Sequence, residues 1–260
     1  MKSYDGFEID ETDSLANKII SCKRCPRLID HCKAVADKRI MRRKPFLGER
    51  YWGRPAPNFG RLPAKLLIVG LAPGAHGANR TSRMFTGDDS GLWLYRALHE
   101  SGFAQTDGHL MVGDNKLLNC SITAAAHCAP PDNKPTPEEI KNCEPFLLET
   151  LKLARPKVVL ALGGVAWKSS LRAIEGVYQK STTGGGSKES LLDPFPKPLP
   201  GFAHGAEHVF SLTSKTASSQ RNLVLLGSYH VSRQNTNTGR LTRAMLKDIF
   251  DRARELTNET

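Results

Sequence analysis

The chain has 260 residues, a formal net charge of +11 at pH 7 and an apolar fraction of 39%, which is ample for a folded core. No apolar run approaches the roughly 20 residues that cross a bilayer. The first residues are acidic and polar and lack the apolar stretch of a secretory signal. We therefore expect a single cytoplasmic domain over residues 1–260 without membrane contact. The positive charge favours a polyanionic partner, nucleic acid ahead of an anionic membrane surface.

Strands and helices alternate along the chain. A helical pattern covers 12–40 and is broken at Cys22–Pro26, and further helices are predicted at 90–101, from Thr136 onward, after Gly164 and at the C-terminal end. Four apolar runs predict buried strands, at 66–69, about 117–125, 157–162 and 222–226. This alternation indicates an α/β fold, in which helices cover both faces of a parallel sheet. Residues 178–206, rich in Gly, Ser, Lys and Pro, are interpreted as a mobile insertion.

Ligands of such folds bind beyond the carboxyl ends of the strands. The loops at 70–91, 126–135 and 227–235 follow predicted strands, so we expect them at one common edge.

Six cysteines occur in a chain expected in a reducing compartment, which favours metal or cluster binding over disulfides. Cys22 and Cys25 form one pair, and Cys128 and Cys143 form a second. Four thiolates in two pairs can hold a tetrahedral zinc ion or a [4Fe–4S] cluster, and the spacing alone leaves both open. The simpler alternative is buried thiols that only pack, which is our interpretation of the other two cysteines.

The small-residue loop Gly70–Thr81 lets a backbone approach a ligand closely, but it matches neither a phosphate-binding P-loop nor a dinucleotide fingerprint. A tight strand-to-helix turn explains it equally well. Asp88 and Asp89 follow at a helix start, where a carboxylate can simply cap the helix. Capping accounts well for Asp89, so Asp88 is the candidate catalytic carboxylate.

His230 directly follows the last buried strand. A lone histidine is usually structural, but one at the ligand edge is a candidate catalytic group. Arg233, Gln234 and Asn235 come next, and Arg240 extends the basic face.

Four segments taken together are more specific than any one motif. They read GLAPGAHGANRT at 70–81, MFTGDDSG at 84–91, HCAPPDNKPTPEEIKNC at 127–143 and SYHVSRQNTNTGRLT at 228–242. This set resembles the family 5 (type B) uracil-DNA glycosylases, the iron–sulfur branch of that superfamily, over about residues 20–255.

The resemblance implies a three-layer α/β/α sandwich with a central four-stranded parallel sheet. It implies a monomer that removes uracil, and other deaminated bases such as hypoxanthine and xanthine, from double-stranded DNA during base excision repair. By the same resemblance, a [4Fe–4S] cluster is held by Cys22, Cys25, Cys128 and Cys143. The alternative is a non-catalytic iron–sulfur protein that binds damaged DNA or senses redox state.

Roles follow for the remaining site residues. Asp88 and His230 are expected to be catalytic, with Asn133 contacting the base or the water. Base contacts are expected from Gly70, Leu71, Ala72, Gly74, His76, Phe85 and Ser232. DNA contacts are expected from Arg233, Gln234, Asn235 and Arg240.

The sequence also departs from the uracil-specific branches. Ala72 stands where those carry a polar water-positioning residue, Gly74 where some carry a shielding tyrosine, and Ala124 where type A members carry an asparagine that reads uracil. These changes predict a permissive pocket.

Overall fold

The computed structural model describes residues 2–4, 7–9, 14–38, 46–107, 116–179, 189–214 and 219–258. Its strands are β1 (Lys2–Tyr4), β2 (Phe7–Ile9), β3 (Leu66–Gly70), β4 (Cys120–Ala124), β5 (Val158–Leu162), β6 (Glu189–Leu191), β7 (Glu207–Ser214) and β8 (Gln220–Ser228). Its helices are α1 (Ser14–Ile20), α2 (Pro26–Ala36), α3 (Ala78–Thr81), α4 (Asp89–Glu100), α5 (Pro137–Ala154), α6 (Gly164–Ile174), α7 (Arg233–Asn237) and α8 (Arg243–Asn258).

The core of the molecule is a parallel sheet in the order β4-β3-β5-β8. Every residue of β3, β4 and β5 is buried, because helices cover both faces of these strands. Helices α4 and α8 supply Leu94 and Phe250 to the core on one face. Helices α5 and α6 supply Leu151 and Trp167 on the other. The predicted three-layer α/β/α sandwich with a four-stranded parallel sheet is confirmed.

Two antiparallel strands extend this sheet, since β7 pairs with β8 and β6 pairs with β7. The sequence analysis missed both. In β7 only Phe210 and Leu212 are buried, and these two alternate with more exposed residues, as in a strand covered on one face. The predicted insertion at 178–206 contains β6, while its residues 180–188 lie outside the described part of the chain; its mobility stays a prediction.

A capping box begins α5. The Thr136 hydroxyl accepts a hydrogen bond from the Glu139 N–H at 3.2 Å, and the Glu139 carboxylate accepts one from the Thr136 N–H at 2.7 Å. The same carboxylate also receives two hydrogen bonds from Arg27 of α2, both at 2.8 Å. One side chain therefore both starts α5 and fixes α2 against it.

Among the helices that the structure describes, none is long and apolar enough to span a bilayer.

Glu189 attaches β6 to the body of the protein. Its side chain is only 5% exposed, accepts two hydrogen bonds from Arg221 at 2.7 Å and is also bonded by Arg155 at 3.1 Å. These contacts, the Arg221 hydrogen bond first, hold the pKa of Glu189 below its ordinary value.

Replacing Glu189 with alanine should lower the free energy of unfolding by about 2–3 kcal/mol, because it leaves a largely buried guanidinium without its carboxylate. Urea denaturation of the purified variant measures this. Glu100→Ala is the control, since its pair with Arg96 is exposed and should change stability by less than about 0.5 kcal/mol. Equal effects of the two substitutions would contradict the assigned role of Glu189.

Candidate active site

A cavity of about 720 Å³ opens at the carboxyl edge of the parallel sheet. Its volume lies within the roughly 300–1,000 Å³ of typical ligand sites. The loops that follow β3, β4 and β8 all contribute to its lining. Of the residues predicted to act on the base, the sugar or the DNA, the cavity brings together Asp88, His230, Asn133, Gly70, Leu71, Ala72, Gly74, His76, Phe85, Ser232, Arg233 and Gln234.

Phe85 forms one wall with an unusual backbone. Its φ of 55° lies in the left-handed region, which bulky residues rarely adopt. Its ring packs so closely on Gly70 that a Cβ atom there would lie 3.0 Å from two ring carbons. The ring centroid lies 6.0 Å from that of His230, at an interplanar angle of 36°. The aromatic face is therefore fixed between the end of β3 and His230.

The assignment of capping to Asp89 was wrong: Asp88 is the N-cap of α4, and it also lines the cavity. One carboxyl oxygen accepts a hydrogen bond from the Gly91 N–H at 3.0 Å. The other lies against the glycine loop, 3.0 Å from where a Cβ on Gly74 would stand and 2.4 Å from where one on Gly77 would stand. Any larger residue at 77 would displace this carboxyl group.

Burial raises the pKa of Asp88 above its ordinary value, and the hydrogen bonds from the Gly91 and Ser90 N–H groups oppose the rise. The carboxyl group is thus held away from water but remains bonded to donors that favour its charged form.

His230 follows β8, and its pKa is lowered by burial to about 4. The ring is therefore neutral near pH 7, with one nitrogen carrying a proton and the other able to accept one. Its backbone carbonyl accepts a hydrogen bond from the Asn235 side chain at 2.8 Å. Asn235, predicted to contact DNA, thus braces the loop that carries the histidine, and it does not line the cavity.

The loop after β4 contributes Asn133. Asn133 and Asp132 both have left-handed backbone conformations, with φ of 56° and 53°. A hydrogen bond from the Asn133 N–H to the Pro130 carbonyl, 3.2 Å long, closes this turn. The turn presents an exposed side chain at the cavity wall.

The mouth of the cavity carries polar and charged groups. Arg233 and Asp89 form an ion pair that joins α7 to α4. Gln234 is exposed beside Arg233. Arg240 lies outside the cavity lining, with its guanidinium carbon 4.7 Å from the centroid of the Tyr229 ring.

Two lining contacts were missed at the sequence level. His76 pairs through Nδ1 with the Tyr51 hydroxyl at 3.0 Å. His31 of α2 reaches the same cavity. The aromatic, Pro/Gly-rich composition around Tyr51 could have indicated a packed loop, whereas nothing in the sequence connects α2 to this edge.

The predicted cysteine ligands converge from distant segments. Burial raises the pKa of Cys25 and raises that of Cys143 to about 12, and the nearby charge of Cys22 raises both further. The pKa of Cys128 is raised by a hydrogen bond with Cys32, by burial and by neighbouring thiolates. Packing places the four predicted ligands in two pairs: Cys22 packs against the apolar cluster that contains Cys143, and Cys25 and Cys128 belong to another.

Nearby donors suit sulfur ligands. The Asn142 amide donates to the Cys25 sulfur at 3.7 Å, and the His127 N–H bonds the Cys143 sulfur. Both pairs lie next to the cavity loop, because Ala72 packs against the cluster that contains Cys143, and Ala75 packs against the one that contains Cys128. In the described part of the chain, no three cysteine, histidine or acidic side chains are close enough together to hold a single metal ion.

Comparison with known proteins agrees with this architecture. Residues 57–254 match the model of the uracil DNA glycosylase superfamily. A type-5 uracil-DNA glycosylase of Mycobacterium tuberculosis is 41% identical over 92% of this chain and 80% of its own length. The type-5 enzyme of Thermus thermophilus is 39% identical over 95% of this chain and 98% of its own length. The type-5 enzyme of Pyrobaculum aerophilum is 37% identical over 93% of this chain and 91% of its own length.

These matches cover most of each protein, so the chain belongs to the uracil-DNA glycosylase superfamily and to its type-5 branch. A type-4 enzyme of Thermotoga maritima is 34% identical over only 41% of this chain. The predicted family is confirmed.

The neutral state of His230 is directly testable. With a folded-state pKa of about 4, the ring should stay neutral at pH 5.5, and NMR titration of the imidazole should show no midpoint between pH 6 and 7. Because the unfolded chain takes up this proton near pH 6.5, the contribution of His230 to stability should fall as the pH drops from about 6.5 towards 4. The signal is assigned with His230→Gln; a midpoint near 6.5 would contradict the burial of the ring.

Proposed function

We propose that this protein hydrolyses the N-glycosidic bond of uracil in double-stranded DNA, and that it also accepts hypoxanthine and xanthine. The observation that carries this proposal is one cavity lined by a partly buried carboxyl group, Asp88, and a neutral imidazole, His230, in a chain of the uracil-DNA glycosylase superfamily. The type-5 relatives named as uracil-DNA glycosylases support the same reaction.

The target base must leave the duplex to reach such a cavity, at a cost of a few kcal/mol. Phe85 stacks on the extruded base, which supplies part of that energy. This role is supported by the fixed orientation of its ring between Gly70 and His230.

His230 stabilises the departing base. Negative charge develops on the base as the glycosidic bond lengthens, and a donor aimed at it contributes about 3–4 kcal/mol, the scale of one oxyanion-hole donor. A neutral imidazole provides its N–H at any pH well above 4. The hydrogen bond from Asn235 to the His230 carbonyl holds the donor in position.

Asp88 stabilises the positively charged sugar and orients the attacking water, as carboxylates do in glycoside hydrolysis. Ala72 has no side chain that could do so. A Cβ atom at Gly74 would lie 3.0 Å from the Asp88 carboxyl group. The absence of a side chain at Gly74 therefore makes room for this carboxyl group. Asn133 contacts the base or the water from the opposite loop.

The broad substrate range is supported by residues without side-chain hydrogen-bonding groups. Gly74, Ala75 and Ala124 line the cavity and offer no side-chain contact that reads one base. A site without buried polar reading groups discriminates weakly. Hypoxanthine presents a carbonyl next to a ring N–H, as uracil does, so the same backbone contacts serve both.

For DNA binding, Arg233 and Arg240 contact phosphates, and Gln234 enters the space left by the extruded nucleotide. The net charge of +11 supports a polyanionic partner. We further propose that the protein acts as a monomer. The six free cysteines support a reducing compartment such as the cytoplasm.

A [4Fe–4S] cluster would be held by four thiolates, those of Cys22, Cys25, Cys128 and Cys143. When bound, it would supply a redox-capable iron centre. Donors to two of the sulfurs suit thiolate ligands of either zinc or iron, and membership of the type-5 branch favours the cluster. Hydrolysis needs no electron transfer. The cysteine segments therefore act structurally, by holding the loops of Ala72 and Asn133 at the cavity.

Excision assays test the reaction. Purified protein should release uracil from a duplex containing one such base, and hypoxanthine within about two orders of magnitude of that rate. His230→Ala and Asp88→Ala should each slow single-turnover excision by about 100-fold or more, because each removes a transition-state contact.

His208→Ala and Asp248→Asn are the matched controls, since both residues lie outside the cavity lining. Binding of undamaged duplex should change little in all four variants. If Asp88→Ala retained the wild-type rate, the water would be positioned by another group. If the wild-type protein released no base, the chain would be a DNA-binding protein without this activity.

Iron analysis tests the cluster. Anaerobically purified protein should be brown and contain about four irons per chain. Serine at Cys22 or Cys143 should remove most of the iron. Cys120→Ser should not, because Cys120 is buried in β4 away from the group. Stoichiometric zinc without iron would refute the cluster.

A further inference from the structure

We propose that Arg240 and Arg243, each held over an aromatic ring, form two preset binding sites for phosphates of the DNA backbone beside the segments that carry His230 and Asp89. This inference rests on the proposed function, because it assumes a DNA duplex laid across the cavity.

The two arginines share one arrangement. The Arg240 guanidinium carbon lies 4.7 Å from the centroid of the Tyr229 ring, and that of Arg243 lies 4.8 Å from the centroid of the Trp93 ring. Both rings are half-buried against the core, so they cannot move far. Each guanidinium therefore rests on a fixed surface while its own side chain stays exposed.

Both rings belong to elements that build the cavity. Tyr229 directly precedes His230. Trp93 lies one turn along α4 from Asp89, on the same face of that helix. Helix α7, whose Arg233 lines the cavity, lies in the chain between Tyr229 and Arg240.

Two other arginines of the C-terminal segment already have carboxylate partners, which a phosphate would have to replace. Arg233 pairs with Asp89, and Arg252 of α8 pairs with both Glu207 and Glu255. Among the described residues, no carboxylate pairs with Arg240 or Arg243. Their N–H groups remain available for an anion.

Aromatic contact and anion binding are compatible in arginine. The ring takes one face of the planar guanidinium, while the N–H groups point outward in the plane and can grip a phosphate with two parallel hydrogen bonds. Holding the side chain in place before binding lowers the entropy lost on binding. A lysine would keep the charge but lose both the stacking and the two-pronged geometry.

The salt dependence of DNA binding measures these contacts. Fluorescence anisotropy with an undamaged labelled duplex gives the dissociation constant between 50 and 200 mM KCl. Each lost phosphate contact should reduce the slope of log K against log salt by about 0.9. Arg240→Gln and Arg243→Gln should each show that change and bind about five-fold more weakly near 0.15 M salt.

Arg252→Gln is the matched control, because it removes an equal charge from an arginine that is already paired, and it should keep the wild-type slope. Arg243→Lys separates charge from geometry: it should keep the slope but weaken binding two- to three-fold. The proposal would be overturned if the salt slopes of Arg240→Gln and Arg243→Gln equalled the slope of Arg252→Gln. It would also be overturned if Arg243→Lys bound the duplex with wild-type affinity. Melting temperatures confirm that each variant is folded.

The binding assay involves no bond cleavage, so the two proposals can fail separately. A protein that binds duplex through these arginines but releases no base would overturn the glycosylase assignment alone. A protein that excises uracil normally in all these variants, with unchanged salt slopes, would overturn the phosphate sites alone.

Discussion

The close approach of two side chains to a glycine loop determines the shape of this cavity. Phe85 packs on Gly70, and the Asp88 carboxyl group packs on Gly74 and Gly77. The cavity therefore depends on missing Cβ atoms as much as on the groups that line it. The small-residue loop, which matches no phosphate-binding motif, accommodates an aromatic ring and a carboxyl group instead.

Local signals in the sequence were sufficient for the parallel part of the fold. The runs that became β3 and β5 are buried on both faces and stand out as continuous apolar stretches. The capping box at Thr136 depends on residues three positions apart and was visible directly. Strands β6 and β7 were not predicted because one has three residues and the other buries only one face.

The location of the cavity was predictable, while its internal contacts were not. Carboxyl ends of parallel strands share one edge, which was enough to place Asp88, Asn133 and His230 together. Three internal contacts depend on backbone positions that residue spacing in the sequence does not determine. They are the hydrogen bond from Asn235 to the His230 carbonyl, the Arg233–Asp89 ion pair and the orientation of Phe85.

The contact between Arg27 and Glu139 has a consequence for the order in which the molecule assembles. It joins residues 112 positions apart, so this contact can form only after α5 has been synthesised. Closing so long a loop is slow and costs entropy that later contacts must recover. During synthesis, Cys22 and Cys25 would leave the ribosome well before Cys128 and Cys143, the other two ligands proposed above. The emerging N-terminal segment would carry two unpartnered thiols throughout that interval, and a chain truncated before α5 would carry them permanently.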